Sequence, residues 1–194
     1  MDIVKEAQWV FDTEIAALQA TKASLGEDFE TIVRLVVNCT GKVIITGMGK
    51  PGHIGTKIAA SLASLGTPSF FMHPGEAMHG DLGMVAENDV VILMSYSGES
   101  DEIVRLLPVL HEIHCTTVAI TGNPKSTLAM GCQHHFCFPH FEEACYMHLA
   151  PTSSTRRFWC WGMPLRWWPP SCATTQKATL RCITPLVRWG KSCW

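Results

Sequence analysis

The stretch T-G-M-G-K-P-G-H-I-G, Thr46 to Gly55, sets the fold class. Ahead of it, Lys42-Val-Ile-Ile-Thr46 is a β-branched run of the kind that makes a buried strand. Behind it, Ile54–Leu65 carries apolar residues at helical spacing with no internal proline. A strand, a glycine-rich turn and a helix together point backbone N–H groups at an anion, and Lys50 adds a mobile cation at the same mouth. Glycines alone carry little weight, because any tight strand-to-helix turn favours them. Gly47-x-Gly49-x-x-Gly52 fits the dinucleotide fingerprint only loosely, since no acidic residue ends the next strand, Pro68–Met72. The P-loop pattern G-x-x-x-x-G-K-[ST] is absent as well. The expected anion is therefore a small phosphorylated metabolite rather than a dinucleotide.

Working outward, Ile3–Leu25 and Asp28–Cys39 read as two helices, the first ended by Gly26. Strands and helices then alternate: Val43–Thr46, a helix from Ile54, strand Ser69–Met72, a loop with Pro74 and Gly75, and strand Val90–Ser95. A helix over Ser100–Ile113, strand Thr116–Thr121, a short helical piece from Ser126 and strand His135–Phe138 follow. Strands buried on both faces and separated by helices predict an α/β fold, a doubly wound parallel sheet behind an N-terminal helical segment. Ligands in such sheets bind beyond the carboxyl ends of the strands. That rule gathers Gly47–His53, Ser95–Glu102 and Thr121–Pro124 around one mouth.

The 194 residues are expected to form one ordinary domain. A formal net charge of −2 gives no argument for nucleic acid, and no apolar run reaches membrane-spanning length. Met1–Glu6 does not read as a signal peptide, and nine cysteines without a paired framework predict reduced thiols and a cytoplasmic protein.

Three hydroxyl-rich or acidic clusters carry candidate chemistry. Ser95-Tyr-Ser-Gly-Glu-Ser100 links a strand to a helix, and its hydroxyls and N–H groups suit a phosphate. Capping of the helix by Ser100 is the plainer alternative. Pro151-Thr-Ser-Ser-Thr155 is a second cluster where a helix should begin, and Glu142-Glu143 before it offers carboxylates for acid–base work or a solvated surface pair. His73 and His79 flank Pro74-Gly-Glu76. Cys132, His134, His135 and Cys137 suggest metal ligands by type. On a strand, however, the pattern puts alternate residues on opposite faces, so no metal site is expected.

These motifs, G-M-G-K-x-G-H-I-G, F-F-M-H-P-G-E-A-M-H-G-D-L-G-M-V, S-Y-S-G-E-S-D-E-I and E-A-C-Y-M-H-L-A-P-T-S-S-T, resemble those of the bacterial arabinose-5-phosphate isomerases. Those enzymes are built on a sugar isomerase (SIS) domain. The resemblance runs in order over Gly41–Thr155. It implies interconversion of D-arabinose 5-phosphate and D-ribulose 5-phosphate, feeding Kdo synthesis for lipopolysaccharide or capsule. It also implies a homotetramer and no required cofactor. By motif position, Lys50, His79, Glu102 and Glu143 fall on the family's catalytic residues. Ser95, Ser97, Ser100, Thr152 and Ser153 fall on its sugar-phosphate loops, with Gly47 and Gly49 in the anion turn. Pro51 departs from the family's usual serine and removes a hydroxyl and an N–H. The residue types fit the chemistry: isomerisation through an enediol(ate) needs a carboxylate base, a proton shuttle and a cation for the developing oxyanion. Glu143 or Glu102 would serve as base, Lys50 as electrophile and His79 as the ring-opening acid.

The resemblance stops at Thr155, and so does the composition. All 17 acidic residues and eight of the 15 basic ones precede it, whereas Arg156–Trp194 holds seven basic residues, no acidic ones and six of the seven tryptophans. The family continues here into a helix resembling T-A-x-L-V-L-G-D-A-L-A-V. Regrouping each codon's third base with the next codon's first two turns Trp159-Cys-Trp-Gly162 into Leu-Val-Leu-Gly, and Pro164 into Ala. Asp and Leu are permitted at Met163 and Leu165, and Leu-His-His-Pro at Cys182–Pro185. The domain is thus expected to run over 1–155, incomplete and without CBS domains. Arg156–Trp194 is expected to be an out-of-frame tail, non-native or irregular, with Pro164, Pro169 and Pro170 interrupting any helix. The family's last catalytic histidine would fall at Thr184, which makes a sugar-phosphate-binding module without turnover the alternative to an active isomerase.

Overall fold

Valine and isoleucine runs build the centre of the molecule. The computed structural model, which describes residues 2–147 and 149–166, places them in a five-stranded, all-parallel sheet. The strands are β1 (Val43–Gly47), β2 (Ser69–Phe71), β3 (Val90–Met94), β4 (Thr116–Thr121) and β5 (His134–Cys137), in the order β2-β1-β3-β4-β5. β1 and β3 match residue for residue from Val43↔Val90 to Gly47↔Met94. The chain leaves β1 toward β2 on one side and returns to β3 on the other, so the order reverses between β1 and β3. A crevice opens at such a reversal, outside the carboxyl ends of the two strands.

Alternation along each strand sorts the core into two layers, because successive side chains face opposite ways. Val43 and Ile45, Val90 and Ile92, Val118 and Ile120, and Phe136 face helices α2 (Glu27–Val37), α3 (Lys50–Ser64) and α8 (Ser153–Gly162). Ile44, Val91, Leu93 and Ala119 face α5 (Asp101–Val104), α6 (Leu107–Ile113) and α7 (Thr127–Gly131). Two short pieces, α4 (Pro74–Ala77) and a 3-10 turn over Asp81–Met84, fill the connection after β2. Helix α1 (Ile3–Ala23) starts at Asp2, whose carboxylate accepts from Val4 and Lys5 N–H at 3.2 and 3.3 Å, and packs on α8. Asp89, fully buried, ties the amino ends of β1 and β3 by accepting from Lys42 N–H at 2.7 Å and Ala86 N–H at 2.8 Å.

Three elements differ from the sequence expectation. α3 begins at Lys50 rather than Ile54, because Pro51 sits in its first turn, where a missing N–H costs nothing. The helix expected over Ser100–Ile113 is two helices, since Pro108 cannot bond the carbonyl four residues back and the chain restarts at Leu107. The tail is not irregular from Arg156: α8 runs to Gly162, and a 3-10 turn holds Met163–Arg166. Phe158, Trp161, Gly162 and Leu165 are buried at spacings of three and four, which is enough to fasten a helix to α2 and α3. The helix does stop before Pro164. Pro169, Pro170 and Thr184 lie outside the described residues.

Candidate active site

The turn after β1 is built for close backbone approach. Gly49 caps α3 at φ 62°, a conformation that favours glycine. A Cβ on Gly52 would lie 2.5 Å from the carbonyl oxygen of Gly47, so only glycine lets α3 start so near the end of β1. Lys50 is the first residue of α3, exposed, and among the described residues forms no ion pair.

Across the crevice, the turn after β3 folds its hydroxyls inward. Ser95 is buried, and its Oγ lies 2.9 Å from Ser100 Oγ and 3.4 Å from Ser97 Oγ while accepting from Gly98 N–H at 3.1 Å. Three hydroxyls carry three protons, and the two contacts among them use at most two. At least one O–H therefore remains to donate outward. Ser97 is exposed and accepts from Glu99 N–H at 3.2 Å, so its hydroxyl stands at the open side of the cluster. Ser100 does precede α5, but its side chain makes no capping bond, so it is joined to the hydroxyl cluster rather than to its helix. The expected gathering of β-strand ends holds: Gly47 and Met94 are register partners, Ser95 N–H donates to Ile120 O at 3.1 Å, and Gly122 N–H donates to Tyr96 O at 2.8 Å.

The remaining candidates stand on the same carboxyl side of the sheet. His79 follows α4, whose cap is His73, the ring Nδ1 accepting from Gly75 N–H at 3.2 Å. α4 packs on α5 and so brings the exposed His79 segment beside the helix that carries the exposed Glu102. Glu143 lies in the segment after β5 and is half-buried. Its Oε2 accepts from Thr152 N–H at 2.8 Å, Thr152 Oγ1 at 2.9 Å and Ser154 N–H at 3.2 Å. Thr152 thus spends its N–H and hydroxyl proton on Glu143, and the carboxylate itself fills the positive end of α8. The hydroxyl of Ser153 is buried and unpartnered among the described residues.

Sequence reasoning passed over Tyr96, Glu99 and Arg157. Tyr96 meets Phe141 edge to face at 5.0 Å and so joins the β3 turn to the segment carrying Glu143. Burial pushes its phenol up, against the nearby Arg157 cation. Arg157 is fully buried: Nε donates to Thr21 Oγ1, Nη1 donates to Pro139 O at 2.9 Å, and the guanidinium lies 4.1 Å from the centre of the Phe141 ring. Burial lowers its pKa to about 10, and it remains a cation at neutral pH. No signal in the sequence marks these contacts, since each partner comes from a distant segment. The Cys132–Cys137 segment is partly buried, and His135 Nε2 lies 3.0 Å from Thr121 Oγ1.

The SIS domain model matches residues 37–156. The chain belongs to the SIS domain family. This SIS domain is 49% identical over 154 residues to the arabinose 5-phosphate isomerase KdsD of Salmonella typhi, covering 79% of the chain and 47% of that protein. The chain therefore spans about half the length of the curated relatives it matches. An Escherichia coli CFT073 protein solved in complex with arabinose 5-phosphate superposes on this SIS domain with a TM-score of 0.82 at 35% identity, covering 96% of this chain and 94% of the other. The sugar isomerase domain of an RpiR transcription factor from Sphaerobacter thermophilus gives 0.74 at 21% identity, over 91% and 97% of the two chains, and shares the fold.

Proposed function

We propose that this SIS domain is built to bind and isomerise a pentose 5-phosphate, interconverting D-arabinose 5-phosphate and D-ribulose 5-phosphate through an enediol(ate). The observation that carries the proposal is the pairing, across one crevice, of the Gly47–Lys50 turn with the inward hydroxyls of Ser95, Ser97 and Ser100. A phosphate needs several donors and a cation at short range, and the two turns that carry them follow neighbouring strands. Identity to the KdsD isomerase and likeness to a structure holding arabinose 5-phosphate support the choice of sugar.

In this reading the serines and the backbone at Gly47 and Gly49 hold the phosphate. Lys50 steadies the oxyanion of the enediolate, and His79 donates the proton that opens the sugar ring. Glu102 or Glu143 moves the proton between C1 and C2. Ser153 stands on the second sugar-phosphate loop, while Thr152 orients Glu143. The product would supply Kdo synthesis for lipopolysaccharide or capsule in the cytoplasm, from a homotetramer, with no cofactor in the chemistry. The described helices include none long and apolar enough to cross a membrane.

The same reading makes residues from 156 onward an out-of-frame tail. The family match ending at Arg156 supports this, as do Arg157 Nη2 and Trp161 Nε1, two buried side-chain polar atoms within five positions of each other that are left without partners among the described residues. A chain altered there could keep sugar-phosphate binding and lose turnover. An isomerase assay with arabinose 5-phosphate beside a calorimetric titration separates the outcomes. Binding is expected in the natural chain and is expected to weaken at least about tenfold when Lys50→Ala and Ser97→Ala are combined. Unchanged affinity in the double variant would remove the site from this crevice.

A further inference from the structure

The Ser95–Ser100 turn is held from outside by the start of α7. A helix must find partners for the N–H groups of its first turn. Leu128 N–H donates to Gly98 O at 3.1 Å, Ala129 N–H to Ser126 Oγ at 3.3 Å, and Met130 N–H to Ser126 O at 3.0 Å. Thr127 N–H donates to the Glu99 carboxylate at 2.8 Å, the shortest of the four. Gly98 and Glu99 together therefore cap a helix that begins 28 residues further along the chain.

Glu99 works in two directions. Its side chain holds α7, and its own N–H donates to Ser97 Oγ at 3.2 Å. That N–H occupies one lone pair of Ser97 Oγ and so restricts where the hydroxyl can sit. Gly98, at φ 71°, has Ser126 packed where a Cβ would stand, which leaves the turn no slack on that side. The Thr127 N–H also holds the Glu99 carboxyl below its usual range, so the group is an acceptor throughout neutral pH and exchanges no proton there.

We propose that Glu99 is a positioning residue: by holding Thr127 it fixes where Ser97 and Ser100 present their hydroxyls, and so sets the affinity for a substrate phosphate that it does not touch. This rests on the sugar-phosphate reading above. The test uses the full chain, with arabinose 5-phosphate affinity by calorimetry, exchange of the Thr127 amide by NMR, and thermal melts. Glu99→Ala is expected to raise Kd about fivefold and to speed exchange at Thr127, with the melt unchanged because the bond is solvent-exposed. Glu99→Gln keeps an acceptor oxygen and is expected to restore most of both. A Kd in Glu99→Ala equal to that of the natural chain overturns the positioning role alone, as does a Gln variant no better than Ala. A natural chain that binds no arabinose 5-phosphate overturns the sugar-phosphate reading and this proposal with it.

Discussion

His135 shows how a single ring ties two strand ends together. Thr121 Oγ1 donates its proton to Asn123 O at 3.0 Å, so the contact with His135 at 3.0 Å requires the proton on His135 Nε2. Burial pushes the His135 pKa below 6.5, with Asp28 opposing. The unfolded chain takes up its proton first as pH falls through 6.5, so stability declines from there and levels off below the folded value. Melts at about pH 7.5 and about pH 5.5 are expected to show this loss, and His135→Gln is expected to shrink the difference. Equal slopes in both proteins would show that another group titrates. At this scale the motif serines and Lys50 were legible because their spacing alone marks a strand-to-helix turn. Tyr96, Glu99 and Arg157 were not, since Phe141, Thr127 and Thr21 reach them only once the chain has folded.

Helix α8 is the element where sequence and packing disagree. The composition break suggested irregular chain, yet apolar residues at Phe158, Trp161 and Leu165 fit a helix, and the structure uses them. What does not fit is Arg157. Its two hydrogen bonds and aromatic neighbours leave Nη2 buried without a partner, and among the described residues no carboxylate pairs with it. A methionine has similar length, keeps contact with Phe138 and Phe141, and removes the cost of burying a charge. Arg157→Met is expected to raise unfolding free energy by about 1 kcal/mol, read from urea titration. A lower midpoint would mean that the bonds to Thr21 and Pro139 outweigh the desolvation. The split between α5 and α6 is a smaller disagreement of the same origin, because Pro108 sits in a pattern that is otherwise helical throughout.

For the molecule as a whole, the decisive experiment is at the level of the gene. Restoring one base near codon 156 is expected to produce a helix reading L-V-L-G-D-A-L and a histidine at the codon now read as Thr184. Isomerase activity and a single cooperative melt are expected to return together. An unrepaired chain that turns over as fast as the repaired one would require residues 156–194 to be accepted as evolved sequence. The parallel α/β architecture was open to sequence reasoning because each strand is a β-branched run between turn signals. The strand order was not, since pairing depends on how crossovers stack rather than on any one segment. The two-layered core also has a timetable. On a ribosome, the layer under α5, α6 and α7 has all its parts once Gly131 emerges, whereas the opposite layer waits for Phe158, Trp161 and Leu165. Were the reading frame to shift at codon 156, as proposed above, only the last-delivered layer would change, after the strands and both turns of the crevice have been synthesised. The two turns proposed to hold phosphate would be translated before such a shift could reach them.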